Sequence, residues 1–221
     1  MTAPRKWPWV ALFWLLAGAA GIALAWPLDG TVDTALAVNR NGRLHELAWW
    51  CSKLGEGWAP AVAGLCAAFL LVRMNRPVPA ARIFFVVLAC EFTGLAGLVL
   101  RILIGRTRPL ADVPPGFYGV WYHGHWIIGK YEFSAFPSGH AATAAGLAVA
   151  AWLVHRGWGA VAAAYALAVM WSRIALQCHH LSDVVASVAL AVPLAVLFKK
   201  ILLPSLEFQF VNWRRSRPEG V

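Results

Sequence analysis

The chain has 221 residues, of which 60% are hydrophobic and only 13% charged, against roughly 45–50% and about 25% in an ordinary soluble domain. So little polar surface cannot clothe a water-soluble globule, and the length is that of one domain. The net charge of +9 is distributed between apolar runs instead of forming one tract, which argues for a membrane-embedded protein and against a nucleic-acid partner.

In chain order, the first apolar run covers about residues 7–26, long enough for a helix that crosses a bilayer. Arg5 and Lys6 precede it as they would in a signal peptide. No convincing small-residue cleavage site follows before Trp26-Pro27, so the run is read as a retained helix. Residues 33–53 mix apolar and polar side chains at near-helical spacing, with Leu36, Val38, Leu44, Leu47, Ala48 and Cys51 as the apolar set. That pattern predicts an amphipathic helix lying on the interface, interrupted at Asn41-Gly42. Further spans are predicted at about residues 58–72, 81–103, 140–154, 158–176 and 181–202. The expected fold is an all-α integral membrane protein: about six transmembrane helices in a bundle, an interfacial amphipathic helix and an outer loop. Residues 1–203 form the transmembrane domain and 204–221 a cytoplasmic basic tail.

Several of the thirteen tryptophans stand where apolar runs end: Trp7, Trp9, Trp26, Trp58, Trp126, Trp158 and Trp171. Their rings suit the headgroup layer, whereas Trp14 and Trp152 are expected to pack in the core. Cys51, Cys66, Cys90 and Cys178 form no CxxC pair and no zinc-like spacing, and Cys66 and Cys90 read as packing residues. Glu91 falls mid-span, where a carboxylate costs roughly 2.5–3.5 kcal/mol on insertion scales, so a structural partner within the bundle is expected. His123-Gly-His125 reads as part of a polar loop and not as a metal site.

Lysines and arginines orient the chain. An inside N-terminus puts Arg5, Lys6, Arg73, Arg76, Arg82, Arg156, Lys199, Lys200, Arg214, Arg215 and Arg217 in the cytoplasm. Arg40, Arg43, Lys53, Arg101, Arg106, Arg108, Lys130 and Arg173 then lie outside. An even number of spans returns both termini to the cytoplasm. The longest connection, about residues 106–139, is then external, and its Phe117, Tyr118, Trp121, Tyr122 and Trp126 predict a loop folded over the helix ends as a lid or substrate rim.

Three segments bring cations and histidines to that outer face. In the first, Arg101 and Arg108 are seven residues apart, two helical turns, and Pro109 marks a helix exit. In the second, Phe136-Pro137-Ser138-Gly139-His140 precedes an apolar helix. Ser138 is a good N-cap, Gly139 lets backbone approach an anion, and the helix N-terminus offers unpaired N–H groups. In the third, Ser172-Arg173 leads to His179, His180 and Asp183. Asp183 is four residues from His179 and three from His180, so on spacing alone its carboxylate can orient either imidazole. Taken singly, each segment could be a snorkelling helix end, a capped helix start or a polar loop. Together they supply cations for phosphoryl oxygens, a nucleophile and a proton donor for the leaving oxygen, which is the inventory of phosphoryl transfer.

These segments resemble the three-part signature of the type 2 phosphatidic acid phosphatase (PAP2) superfamily, K-x6-R-P, P-S-G-H and S-R-x5-H-x3-D. The second and third match in full; in the first, Arg101 stands where the signature has lysine. The resemblance implies a membrane-bound lipid phosphatase working without cofactor or metal. His179 would be the nucleophile that becomes phosphohistidine, Asp183 its orienting carboxylate and His140 the proton donor. Arg101, Arg108, Ser138, Gly139 and Arg173 would hold the phosphoryl oxygens. The substrate classes it implies are undecaprenyl pyrophosphate, lipid A 1-phosphate, phosphatidylglycerol phosphate and phosphatidic acid, acted on at the periplasmic face of a bacterial inner membrane. A lipid-to-lipid phosphotransferase with the same site is the alternative, and an anion transporter a more distant one.

Overall fold

A computed structural model describes residues 7–216; Arg5, Lys6 and Arg217 of the charge reading lie outside it. Among the described residues the regular structure is helical apart from one hairpin of two two-residue strands. Its helices are α1 (Trp7–Ala25), α2 (Asp29–Leu36), α3 (Arg43–Leu54), α4 (Trp58–Arg73), α5 (Pro77–Ile104), α6 (Gly139–Val154), α7 (Arg156–Ala175), α8 (Leu181–Ile201) and α9 (Leu203–Arg215).

The packing rule is the inverse of a soluble protein's. The buried set is dominated by alanine, including Ala80, Ala81, Ala89, Ala141, Ala142, Ala150, Ala191 and Ala195, while leucine, phenylalanine and tryptophan side chains are exposed along the helices. Lipid tails are as apolar as leucine, so burying large side chains between helices gains little; small residues win because they let backbones approach and pack. Gly146 shows how close the approach is. A Cβ there would lie 2.8 Å from the Thr93 side chain and 3.2 Å from the Ala89 carbonyl oxygen. Trp14 and Trp152, expected in the core, follow the same rule and are 40% and 50% exposed.

Helix α6 sits at the centre, packed on α5, α7 and α8, with Ala141 through Gly146 all buried. It runs antiparallel to α5, so Gly139 faces Arg101 at one end and Gly146 faces Ala89 further along. Helix α1 lies antiparallel on α8, Gly18 against Ala189 and Gly21 against Val185. The described start of α1 and the end of α8 therefore share the end of the bundle away from Arg101.

All six apolar runs form helices, but six complete spans are not what results. Among the described residues four helices are long and apolar enough to cross a membrane, or five if α3 and α4, bent by 53°, count as one span. Helix α6 has 16 residues, about 24 Å at 1.5 Å per residue, less than the roughly 30 Å of bilayer hydrocarbon. Because its neighbours surround it, it need not span alone.

The interfacial helix predicted over residues 33–53 is two elements. The break falls at residues 37–42, with Gly42 as the N-cap of α3. Helix α3 turns Ala48 and Ser52 inward and exposes Leu44, Leu47, Trp49 and Trp50. Helix α2 turns two carboxylates inward: Asp29 and Asp33 are buried. The segment read as a basic tail is helical through Arg215 and docks on α5 through an Arg82–Glu207 ion pair of 2.8 Å and a Phe84–Phe210 ring contact. Glu91 lies beside Gly57 at the N-terminal end of α4, where a Cβ on Gly57 would meet its carboxylate at 3.1 Å; a helix N-terminus favours negative charge.

Residues 105–138 fold over the Arg101 end, as their aromatic content predicted. Arg108 N donates to Glu132 O, Tyr118 N to Gly105 O and Ala135 N to Arg106 O, all within 3.0 Å. Tyr118, Tyr122 and Phe133 form one ring cluster. Gly105 has φ +62°, and a Cβ there would strike the Gly119 carbonyl, so no other residue fits. His123 and Gly124, both at positive φ, form the turn of the hairpin β1 (Trp121–Tyr122) and β2 (His125–Trp126).

Replacing Gly146 by Leu should overpack the α5–α6 contact and cost about 1–3 kcal/mol, read as a lower midpoint of thermal unfolding in detergent; an unchanged midpoint would mean that the close approach does not exist.

Candidate active site

The site forms where three sequence-distant segments meet beneath the folded loop. Ser138 caps α6, its Oγ accepting from Ala141 N at 3.5 Å. Its backbone is stitched to α8: Ser138 N donates to Asp183 O at 3.3 Å, and Ser187 Oγ donates to Ser138 O at 2.9 Å. The N–H groups at the start of α6 lack intrahelical acceptors, and Gly139 leaves room for the Arg101 guanidinium, whose Nη1 would be 3.2 Å from an added Cβ. His140, half-buried, follows in the first turn of α6. Arg101, Arg108 and Arg173 lie within electrostatic range of both His140 and His179. The residues expected to act together are therefore brought together.

His179 is fully buried in the five-residue link between α7 and α8. Its Nδ1 lies 2.7 Å from Ala135 O. A carbonyl can only accept, so Nδ1 carries the proton and Nε2 keeps its lone pair. Nε2 has no partner. Asp183 Oδ2 is 3.6 Å from the same Nδ1, outside hydrogen-bond distance. The orienting bond expected from the four-residue spacing is thus made by a backbone carbonyl. Asp183 Oδ2 accepts from His180 N at 2.8 Å, and Oδ1 is ion-paired with Arg106. Burial, followed by the positive charge of Arg108 and Arg173, holds the His179 pKa well below its ordinary 6.5.

The cations divide their work unequally. Each nitrogen of the Arg108 guanidinium donates to a carbonyl: Nε to Tyr131 at 2.9 Å, Nη1 to Cys178 at 3.0 Å and Nη2 to Ser134 at 3.2 Å. Its plane stacks on Tyr131 with 3.7 Å to the ring centroid. Arg108 therefore fastens the folded loop to the His179 link as well as lending charge. Arg173 donates through Nη1 to Ser52 Oγ of α3. Arg101 Nε and Arg173 Nε are buried without partners. Among the described residues only four buried side-chain N or O atoms lack a partner, and three of them are Arg101 Nε, Arg173 Nε and His179 Nε2. Two donors and one lone pair are thus left without protein partners on residues close enough to interact electrostatically.

Sequence reading gave Asp29 and Asp33 no part in this region, put Arg106 on the outer face without a role there, and had His180 as an alternative partner of Asp183 on spacing alone. Arg106 is buried between Asp183 and Asp29, 2.7 Å from Asp29 Oδ2, with Trp26 stacked over it at 4.2 Å. His180 Nδ1 is 2.5 Å from Asp33 Oδ2. The available signal was the pair of carboxylates, Asp29 and Asp33, one helical turn apart just past the first apolar run.

A family model of the PAP2 superfamily matches residues 79–205, more than half of the chain. The chain belongs to the PAP2 superfamily. Among solved structures, it is similar to the first transmembrane PAP2 type phosphatidylglycerolphosphate phosphatase of Bacillus subtilis, with TM-score 0.59 and 22% identity over 86% of this chain and 92% of that one. It is also similar to LpxE of Aquifex aeolicus, with TM-score 0.52 and 18% identity over 78% of this chain and 95% of that one. At these identities the likeness is one of fold. No curated protein matches the chain in sequence.

In substrate-free protein carrying 13C-labelled histidine, with the signal assigned through His179→Gln, His179 should stay neutral at pH 6.5. An ordinary histidine is half protonated there. A titration midpoint at or above 6.5 would contradict the buried, cation-flanked environment.

Proposed function

We propose that the protein is a membrane phosphatase that hydrolyses a lipid phosphate or lipid pyrophosphate through a phosphohistidine. The observation that carries this reading is the set of three unpartnered buried nitrogens, on Arg101, Arg173 and His179.

Arg101, Arg173 and the N–H groups at the start of α6 take the phosphoryl oxygens, with Arg108 adding charge. His179 Nε2 attacks phosphorus while Ala135 O holds its Nδ1 proton. As the N–P bond forms, the P–O bond to the lipid breaks, and His140 gives its proton to the departing oxygen. Positive charge develops on the imidazole, and the Asp183 carboxylate 3.6 Å away favours it. Water then attacks phosphorus and loses its proton to His140, and the N–P bond breaks to release inorganic phosphate. The arginines supply the charge that a metal ion supplies in other phosphoryl transfers.

The lysines and arginines of Arg73, Arg76, Arg82, Arg156, Lys199 and Lys200 gather towards the end of the bundle opposite Arg101. By the positive-inside tendency that end faces the cytoplasm, so the site opens to the outside, which in a bacterial inner membrane is the periplasm. The Bacillus subtilis protein whose structure is similar is a phosphatidylglycerolphosphate phosphatase, and that substrate class is the first to try here.

In detergent, His179→Ala should abolish phosphate release from every lipid phosphate tried, and chelator should leave wild-type activity unchanged. His140→Asn should lose about 10²–10⁴-fold, and less for a phosphate ester whose leaving group needs no proton. Full activity in His179→Ala would overturn the mechanism.

A further inference from the structure

Helix α2 lies outside residues 79–205, the part matched by the family model, yet its two carboxylates bond to residues on both sides of His179. Asp29 Oδ1 accepts from Ser182 N at 2.8 Å. Asp29 Oδ2 accepts from Ser182 Oγ at 2.6 Å and from Arg106 Nη2 at 2.7 Å. One turn later, Asp33 Oδ2 lies 2.5 Å from His180 Nδ1, and the Asp33 carbonyl accepts from Gln177 Nε2 at 2.6 Å. Just past the end of α2, Val38 N donates to Ala175 O at 3.2 Å. Residues 175, 177, 180 and 182 are thus held from one side by α2, and His179 lies among them.

We infer that α2 is a positioning clamp: Asp29 and Asp33, acting through Arg106, Ser182 and His180, hold the His179 imidazole in line for attack. Neither carboxylate is placed to touch the phosphoryl group. Asp29 acts through Ser182 at the start of α8 and through Arg106, which links Asp29 to Asp183. Asp183 in turn lies 3.6 Å from His179 Nδ1. Asp33 reaches it through His180, the residue next to His179. Both carboxylates are buried, and Asp33 Oδ1 is the fourth unpartnered buried atom among the described residues. A carboxylate kept in so costly a setting is held there by what it organises.

The clamp rests on the reading of His179 as nucleophile, and its test separates the two. Orthovanadate accepts a fifth ligand and reports an aligned nucleophile, whereas inorganic phosphate reports the cations and helix N-terminus alone. In Asp29→Asn and Asp33→Asn, measured on folded protein recovered by size exclusion, kcat should fall about 10–100-fold with little change in KM. The vanadate inhibition constant should rise about tenfold or more while that of phosphate stays near the wild-type value. Ser182→Ala, which removes the hydroxyl that donates to Asp29 and accepts from Arg106, should show the same split more weakly and decides the matter if Asp29→Asn does not fold. Unchanged kcat and vanadate inhibition in the folded variants would overturn the clamp, and so would parallel weakening of vanadate and phosphate, the mark of general loosening. His179→Ala run alongside distinguishes the failures. If it is active, the nucleophile reading falls; if it is dead while the aspartate variants behave as wild type, only the clamp falls.

Discussion

The structure around the site depends on the burial of Arg106 between two carboxylates. A guanidinium at the end of a hydrocarbon-embedded bundle is expensive unless paired, and removing one partner of such a buried pair typically costs about 3–5 kcal/mol. Pairing Arg106 with Asp183 and Asp29 obliges α8, α2 and the segment after α5 to converge. That convergence carries the start of α6 and the His179 link with it. Trp26, Phe117 and Phe136 close over the guanidinium, so the pair is shielded on its open side as well.

The rest of the bundle serves that convergence by staying thin. Alanine and glycine between α5, α6 and α8 bring backbones close enough for Ser138 N to reach Asp183 O and for Ser187 to reach Ser138 O. Larger side chains at those positions would part the helices and separate the N-terminus of α6 from the His179 imidazole. Close packing of small residues and a polar site assembled from three helix ends are one design seen at two levels.

Much of the site was legible because its chemistry is local. Ser138-Gly139-His140 before an apolar run announces a capped helix start, since a cap needs a side-chain oxygen next to unpaired N–H groups. Arg101, Arg108, Arg173 and the two histidines were legible because charge is rare in this chain and conspicuous between apolar runs. The partner of His179 Nδ1 was not, because the acceptor is the backbone carbonyl of Ala135 and any residue carries a carbonyl. The i, i+4 spacing pointed to Asp183, but His179 precedes α8 and is not on it, so helical geometry does not govern that pair. Asp29 was not singled out and Asp33 read as the start of an interfacial helix, because a periodicity shows which residues share a face and not what the face meets.

By itself the sequence determined a membrane-spanning helical chain, the identity of the cations and histidines, and the segments on which they stand. Those follow from hydropathy and from short-range rules of helix ends. Tertiary structure alone decided which carboxylate meets which cation, that Arg108 spends its donors on loop carbonyls, and that α2 turns inward onto the His179 link. Such pairings join residues as far apart as Asp29 and Ser182, and no local periodicity records a contact made across the whole chain.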